Sequence, residues 1–161
     1  MQAPGATWLS SAWWSLVLQA FAVSDFGQAA RRYNQAYLLQ PGRAEIYHGL
    51  AAVAAERFND VAFAEELFQI ALKLKPGETV IQADYARFLL IQKRAATAVP
   101  LLESAVRDPQ AQAHHWSNLG FAYAQTGRLE EACEALLMAE GRKPPAGLAP
   151  DLSVLRQIAG C

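Results

Sequence analysis

WSNLGFAYAQTGRLEEACEALLMAEGRKP, residues 116–144, decides the fold. Trp116, Leu119, Gly120 and Tyr123 follow one another at steps of three, one and three, which is one face of an α-helix. Thr126-Gly127 interrupts the pattern, and Gly127 is free to take a positive φ. Ala132, Leu136 and Ala139 then mark one face of a second helix, which Pro144 stops. The stretch therefore reads as helix, tight turn, helix. Small residues at Gly120 and Ala132 let the two helices approach, and the larger ones fill the space around them. A side chain added at either small slot would overpack the contact, at about 1–3 kcal/mol.

The same slots recur along the chain about 34 residues apart. Ala29, Ala64 and Ala98 precede Ala132; Ala36, Ala71 and Ala105 precede Ala139. Tyr33, Phe68 and Leu102 stand where Leu136 does, and Pro41, Pro76 and Pro109 stand where Pro144 does. The first halves carry Trp13, Leu16, Val17 and Ala20, then Tyr47, Leu50, Ala51 and Ala54, then Gln82, Tyr85, Ala86 and Leu89. The expected organisation is an extension over residues 1–9, four repeats over 10–43, 44–78, 79–112 and 113–146, and a capping helix with a tail over 147–161. First halves are spaced 34, 35, 34 and second halves 35, 34, 34, which puts one extra residue within Glu56 to Val61. Turns are expected at Ser24–Gly27, Asn59-Asp60 and Gln92–Arg94, the last without a glycine. Thr97 is read as an N-cap that leaves Pro100 in a first helical turn. Leu152, Leu155 and Ile158 give the final helix an apolar side to cover the last repeat. The fold class is all-α: an α-solenoid of four helix-turn-helix repeats with a C-terminal capping helix.

Composition excludes several functions. Just over half of the 161 residues are apolar and the formal charge is -1, which argues against nucleic acid as a partner. Cys133 and Cys161 are read as unpaired, the first packed in a helix and the second at a frayed end. Ala12 to Val23 is strongly apolar but short for a membrane span, and the first positive charge is Arg31, so it reads as a buried helix and not as a signal peptide. No phosphate loop, dinucleotide fingerprint or zinc-protease motif occurs. His114 and His115 are adjacent, about 100° apart on a helix, and with His48 are expected at the surface or in a groove, not on a metal. Glu65-Glu66 and Glu130-Glu131 read as solvated faces. No enzymatic activity, cofactor or metal is expected.

The eight recurring slots, W-x2-L-G-x2-Y, then A-x3-large-x2-A, then P, resemble the tetratricopeptide repeat over about residues 10 to 146. A narrower likeness rests on DYARFLLIQKR, ESAVRDP and WSNLGFAYAQTGRLEEA, and on the extra residue near Glu56–Val61. These stretches resemble the lipoproteins that help assemble the outer-membrane secretin of type IV pili. That resemblance implies a periplasmic scaffold, tied to the membrane through a lipid anchor or a partner, whereas the chain as it stands reads as cytoplasmic. The repeat family implies a concave face lined by first helices, reached one and five residues past each bulky slot. Those positions give Trp14, Leu18 and Phe21, then His48 and Ala52, then Ala83, Asp84, Arg87 and Ile91, then Ser117, Asn118, Phe121 and Gln125. Trp14 and Phe21 would anchor an amphipathic or extended peptide, and Arg87 and Asn118 would hold its backbone or a carboxylate. Asp84, one turn from Arg87, is placed to pair with it. Of the basic clamp with which some relatives grip chaperone tails, only Asn118 is present. The expected partner is a protein or peptide, without a small-molecule cofactor. The alternative is a module that self-associates through AWWSLVLQAF, which is apolar all round.

Overall fold

The computed structural model describes residues 26–161, apart from the side chains of Phe26, Gln28 and Ala29. The described residues form eight α-helices and one short 3-10 turn, with no strand. They fall into two compact units, one running through Pro76 and the other from Gly77 to Cys161.

The first unit contains α1 (Phe26–Leu39), α2 (Ala44–Arg57) and α3 (Val61–Leu74). Phe26 and Gly27, expected in a turn, already belong to α1. Tyr33 of α1 packs on Ile46 and Val53 of α2. The approach is close because α2 offers Gly49: a Cβ there would lie 1.8 Å from the Tyr33 ring. Glycine inside a helix costs about 1 kcal/mol relative to alanine, so its use here follows from the contact. Burial pushes the Tyr33 hydroxyl pKa up to about 12. Tyr47 fastens the preceding loop by donating to the Pro41 carbonyl at 2.8 Å. Between α2 and α3 the repeat slots Ala51, Ala64, Phe68 and Ala71 are all buried. Asp60 caps α3 by accepting the Phe63 N–H at 3.1 Å, which satisfies one of the helix's orphan donors.

The second unit contains α4 (Thr79–Ile91), α5 (Ala95–Ala105), α6 (Ala113–Gln125), α7 (Leu129–Gly141) and α8 (Ala149–Ala159). Helix α4 packs on α5, α5 on α6 and α6 on α7; α4 also touches α6, so successive first helices lie side by side. Ile81, Leu89, Leu102, Leu136 and Leu155 are fully enclosed. Gln82, which occupies a bulky slot, is buried as well. Thr97 lies within the first turn of α5 and is not its cap; the helix begins at Ala95 after Arg94. Pro100 is consequently inside the helix, the sixth residue from its start, where it lacks the N–H that would bond the Ala96 carbonyl.

The three tight turns show where the extra residue went. Arg94 N–H closes α4 onto the Leu89 carbonyl at 2.9 Å, and Arg128 N–H closes α6 onto the Tyr123 carbonyl at 2.9 Å. In the second repeat Asp60 N–H reaches back to Ala54 at 3.1 Å, one residue further. The insertion therefore sits in the last turn of α2, inside the window the register defines. Each turn passes through a left-handed residue: Asn59 (φ 50), Lys93 (φ 58) and Gly127 (φ 79). Only the third is a glycine, so a turn without one still forms, on a lysine.

Helix α8 covers α6 and α7. Leu152 and Leu155 join Leu136 and Ala139 in one cluster, with Trp116 and Phe121 packed against it. Ile158, expected inside, is 52% exposed, and Ala159 is buried in its place. Seven residues from Leu152 complete two helical turns and six do not, so Ala159 carries the stripe. The two cysteines depart from the sequence reading. Cys133 and Cys161 form a disulfide, with Cα atoms 5.9 Å apart. Gly160 takes φ 79 and ends α8 on the Arg156 carbonyl, which turns Cys161 back towards α7. The chain end is thereby tied down, not frayed.

Candidate peptide-binding face

In the second unit the expected residues gather on two neighbouring stripes. On α6, His114, Asn118, Phe121 and Gln125 follow at steps of four, three and four, which is one face of the helix. On α4, Asp84 and Arg87 stand one turn apart. The two stripes share one electrostatic environment. Burial holds the His114 imidazole below its usual pKa; Asp84 pulls against that shift and Arg87 adds to it. Arg87 and Gln125 are exposed and Asn118 is half-buried. Neither the Asn118 nor the Gln125 amide has a hydrogen-bond partner among the described residues. Phe121 is half-buried on the cluster that α8 completes.

Two neighbours on the same helices drop out. Ala83 and Ser117 are buried, 1% exposed each, because they stand on the sides of α4 and α6 that pack inward. His48 belongs to the first unit, where it is half-buried on α2 with its ring 6.0 Å from that of Phe68. Trp14, Leu18 and Phe21, and the apolar segment invoked for self-association, lie outside the described residues.

His115 departs from expectation. It is 5% exposed and serves its own helix: its Nδ1 accepts the Gln112 N–H at 2.9 Å, while the Gln112 side chain caps the first turn in return. That role requires a neutral ring with its proton on Nε2. Burial, reinforced by His114, holds the His115 pKa down, while Asp84 and Asp108 oppose the shift. The two histidine rings tilt to 4.0 Å despite leaving the helix in different directions. Among the described residues no group of three or more His, Cys, Asp or Glu side chains is placed to hold a metal.

The opposite side of α6 holds a feature the sequence did not reveal. A groove of about 710 Å³ runs between α5 and α7 over the floor made by Trp116, Leu119 and Tyr123. At one end the Tyr123 hydroxyl donates to Glu103 at 2.9 Å, and Arg128 lies over the Tyr123 ring while it bridges Glu103 and Glu131. Burial and the Glu103 carboxylate raise the Tyr123 pKa to about 12, and Arg128 holds Glu131 below the usual carboxylate range. At the other end Arg142 covers the Trp116 ring and donates to the Ala111 carbonyl at 2.8 Å. These residues come from three helices, and the sequence alone did not bring them together.

Helical hairpins stacked side by side in the second unit, with polar groups on the first helices, define a repeat scaffold. The tetratricopeptide repeat family model matches residues 15–79 and 84–147, and the chain belongs to that family. Its fold is the all-α solenoid type of that family, whose members are generally modules for holding protein or peptide partners. It is similar in structure to pilF of Pseudomonas aeruginosa, with a TM-score of 0.83 and 22% identity over 95% of this chain and 70% of that one. It is similar to PilW, a widely conserved type IV pilus biogenesis factor, with a TM-score of 0.81 and 21% identity over 94% of this chain and 70% of that one. YrrB, a TPR protein with an unusual peptide-binding site, gives a TM-score of 0.68 and 20% identity over 88% and 73%. No curated protein sequence matches the chain. No helix among the described residues is long and apolar enough to cross a membrane.

Proposed function

We propose that the protein is a non-enzymatic scaffold that holds a peptide or protein segment on the face formed by its first helices. The observation that carries this reading is the half-buried Asn118 amide, left without a partner on a stripe that shares its electrostatics with Asp84 and Arg87. A side-chain amide offers both a donor and an acceptor, as a peptide backbone requires. Arg87 adds a forked cation for a carboxylate. Replacing Arg87 and Asn118 together by alanine should weaken peptide capture about tenfold while the helical circular dichroism stays unchanged. Undiminished capture would reject this face.

The finer part of the proposal is a place in type IV pilus biogenesis, in secretin assembly. Its support is the likeness to pilF and PilW together with the extra residue in the last turn of α2. The Cys133–Cys161 disulfide favours an oxidising compartment such as the periplasm, because such bonds are rare where thiols are kept reduced. An array of overlapping peptides from a type IV pilus secretin is the direct assay. Binding to none of them, in a chain that still captures other peptides, would remove the pilus assignment and leave the scaffold.

A further inference from the structure

The first-helix face leaves the groove between α5 and α7 unexplained. Its floor and walls are mostly apolar, with Leu119, Ala135 and Met138 beside the two aromatic rings. Leu137 and Met138 at its edge are exposed, 65% and 40%. Its length is at least that from Trp116 to Tyr123, two turns of α6 or about 10 Å. Three polar features break the apolar surface. Trp116 Nε1 is buried with no hydrogen-bond acceptor, and it is the one buried side-chain N or O so left among the described residues. An unsatisfied buried donor costs about 1–3 kcal/mol, so one that persists on a groove wall marks a place where an arriving acceptor gains. Arg107, which follows the C-terminal end of α5 on the Trp116 side, is exposed and has no carboxylate partner among the described residues. Glu134, on the α7 wall, is exposed and likewise without a cation. The other two acids of the groove are already held by Arg128.

We infer that this groove is a second docking site, for a short amphipathic helix with aliphatic anchors, an acidic residue at the end that meets Arg107 and Trp116, and a basic residue that meets Glu134. The aliphatic side chains cover Leu119, Ala135 and Met138. The acidic residue supplies the acceptor that the indole N–H lacks and the charge that Arg107 lacks. Laid the other way round, the same helix would set like against like at both rims, which fixes the direction in which it lies. This face is separate from the one proposed above, since Asn118 and Gln125 stand on the opposite side of α6.

The test uses the full chain and three labelled alanine–leucine peptides: one with lysine near its start and aspartate near its end, one with lysine at both places, one neutral. Fluorescence anisotropy should show the first binding about tenfold tighter than the peptide with two lysines, which meets Arg107 with a like charge in either direction. Arg107→Glu alone should invert that preference by making both rims acidic, and the residue is exposed, so folding is spared. Met138→Asp should weaken both charged peptides. Arg87→Ala with Asn118→Ala should change nothing here, which separates this site from the first-helix face. Equal affinity for the two charged peptides would overturn the proposal. So would loss of binding in the Arg87/Asn118 variant, which would move the peptide to the other face. Concentration-dependent dimerisation that Met138→Asp abolishes would overturn it too, by giving the groove to a second copy of the chain.

Discussion

The hairpins α2–α3 and α6–α7 are filled from the same slots, yet they are closed by different means. In α2–α3 the turn carries an extra residue, an asparagine in the left-handed conformation and an aspartate cap. Its close approach comes from Gly49, which lies under Tyr33 of the helix before it. In α6–α7 the turn is the shorter form on Gly127 and the helix starts with a glutamine–histidine capping box. Its close approach comes from Gly120, where a Cβ would lie 2.5 Å from Leu155 of the helix after it. One glycine admits a preceding neighbour and the other admits the cap. In a repeat array each unit is stabilised by what stacks on it, so α6–α7 needs a neighbour on its far side. The molecule meets that need with α8 and a covalent tie. Removing the tie should therefore have the largest effect. A cross-link spanning 28 residues limits the unfolded chain by about 3 kcal/mol in the loop-entropy picture. Cys133→Ser with Cys161→Ser, or reduction, should lower the urea midpoint, and amide exchange should quicken first in α8 and the adjoining turns of α6 and α7. Equal quickening in α2 and α3 would contradict the local role.

The glycines come next. Gly120→Ala forces the fully enclosed Leu155 to move and should cost about 2 kcal/mol, loosening the cap. Gly49→Ala sets a Cβ 1.8 Å from the buried Tyr33 ring and should cost at least as much, about 2–3 kcal/mol, with the gain in helix propensity offsetting part of the strain in both variants. The comparison sharpens if the first change alters the reducibility of the disulfide and the second does not. Thermal unfolding with and without reductant reads both.

The capping box adds a pH dependence. His115 is held neutral in the fold, so its pKa there lies below the unfolded value near 6.5. Above 6.5 its contribution is fully present. As the pH falls below 6.5 the unfolded chain takes up a proton that the fold refuses, and stability declines until the lower folded pKa is reached. His115→Gln should flatten that slope at little cost near neutral pH, because a glutamine at this position still accepts the Gln112 N–H. An equally steep decline in the variant would move the effect to His114.

The repeat was legible because it is periodic: the alanine slots, the bulky residues between them and the prolines fix helices and register without any tertiary knowledge. The site of the extra residue was legible for the same reason, as a break in that period. What was not legible depends on residues distant in sequence. The pairing of Cys133 with Cys161 depends on α8 folding back over α7, and two cysteines 28 residues apart do not declare it. The role of Gly49 is not legible because its neighbour, Tyr33, belongs to the preceding repeat. His115 looked like a surface residue because a capping box is usually recognised by its Ser or Thr and its Glu or Gln, and here a histidine closes it. Asp84, Arg87, Asn118 and Gln125 were assigned to the first-helix face through the resemblance to the repeat family, and Ala83 and Ser117 with them; the inward side of the last two needed the packing of α4, α5 and α6. The groove residues Arg107, Trp116 and Glu134 lie on three elements, and no single period joins them.

The smallest predicted effect concerns the left-handed position that the three turns share. Lys93 holds φ 58 where Gly127 holds φ 79. A lysine there carries a Cβ penalty of about 1–2 kcal/mol, while a glycine loses about 0.5–1 kcal/mol more conformational entropy on folding. The difference favours glycine, so Lys93→Gly should stabilise the second unit by about 0.5 kcal/mol. Gly127→Ala should destabilise it by about 1 kcal/mol. Opposite signs in paired urea titrations would show that the backbone conformation, and not contacts of the lysine side chain, governs the turn. The same sign for both would show that the Lys93 side chain contributes more to the α4–α5 turn than its backbone strain removes.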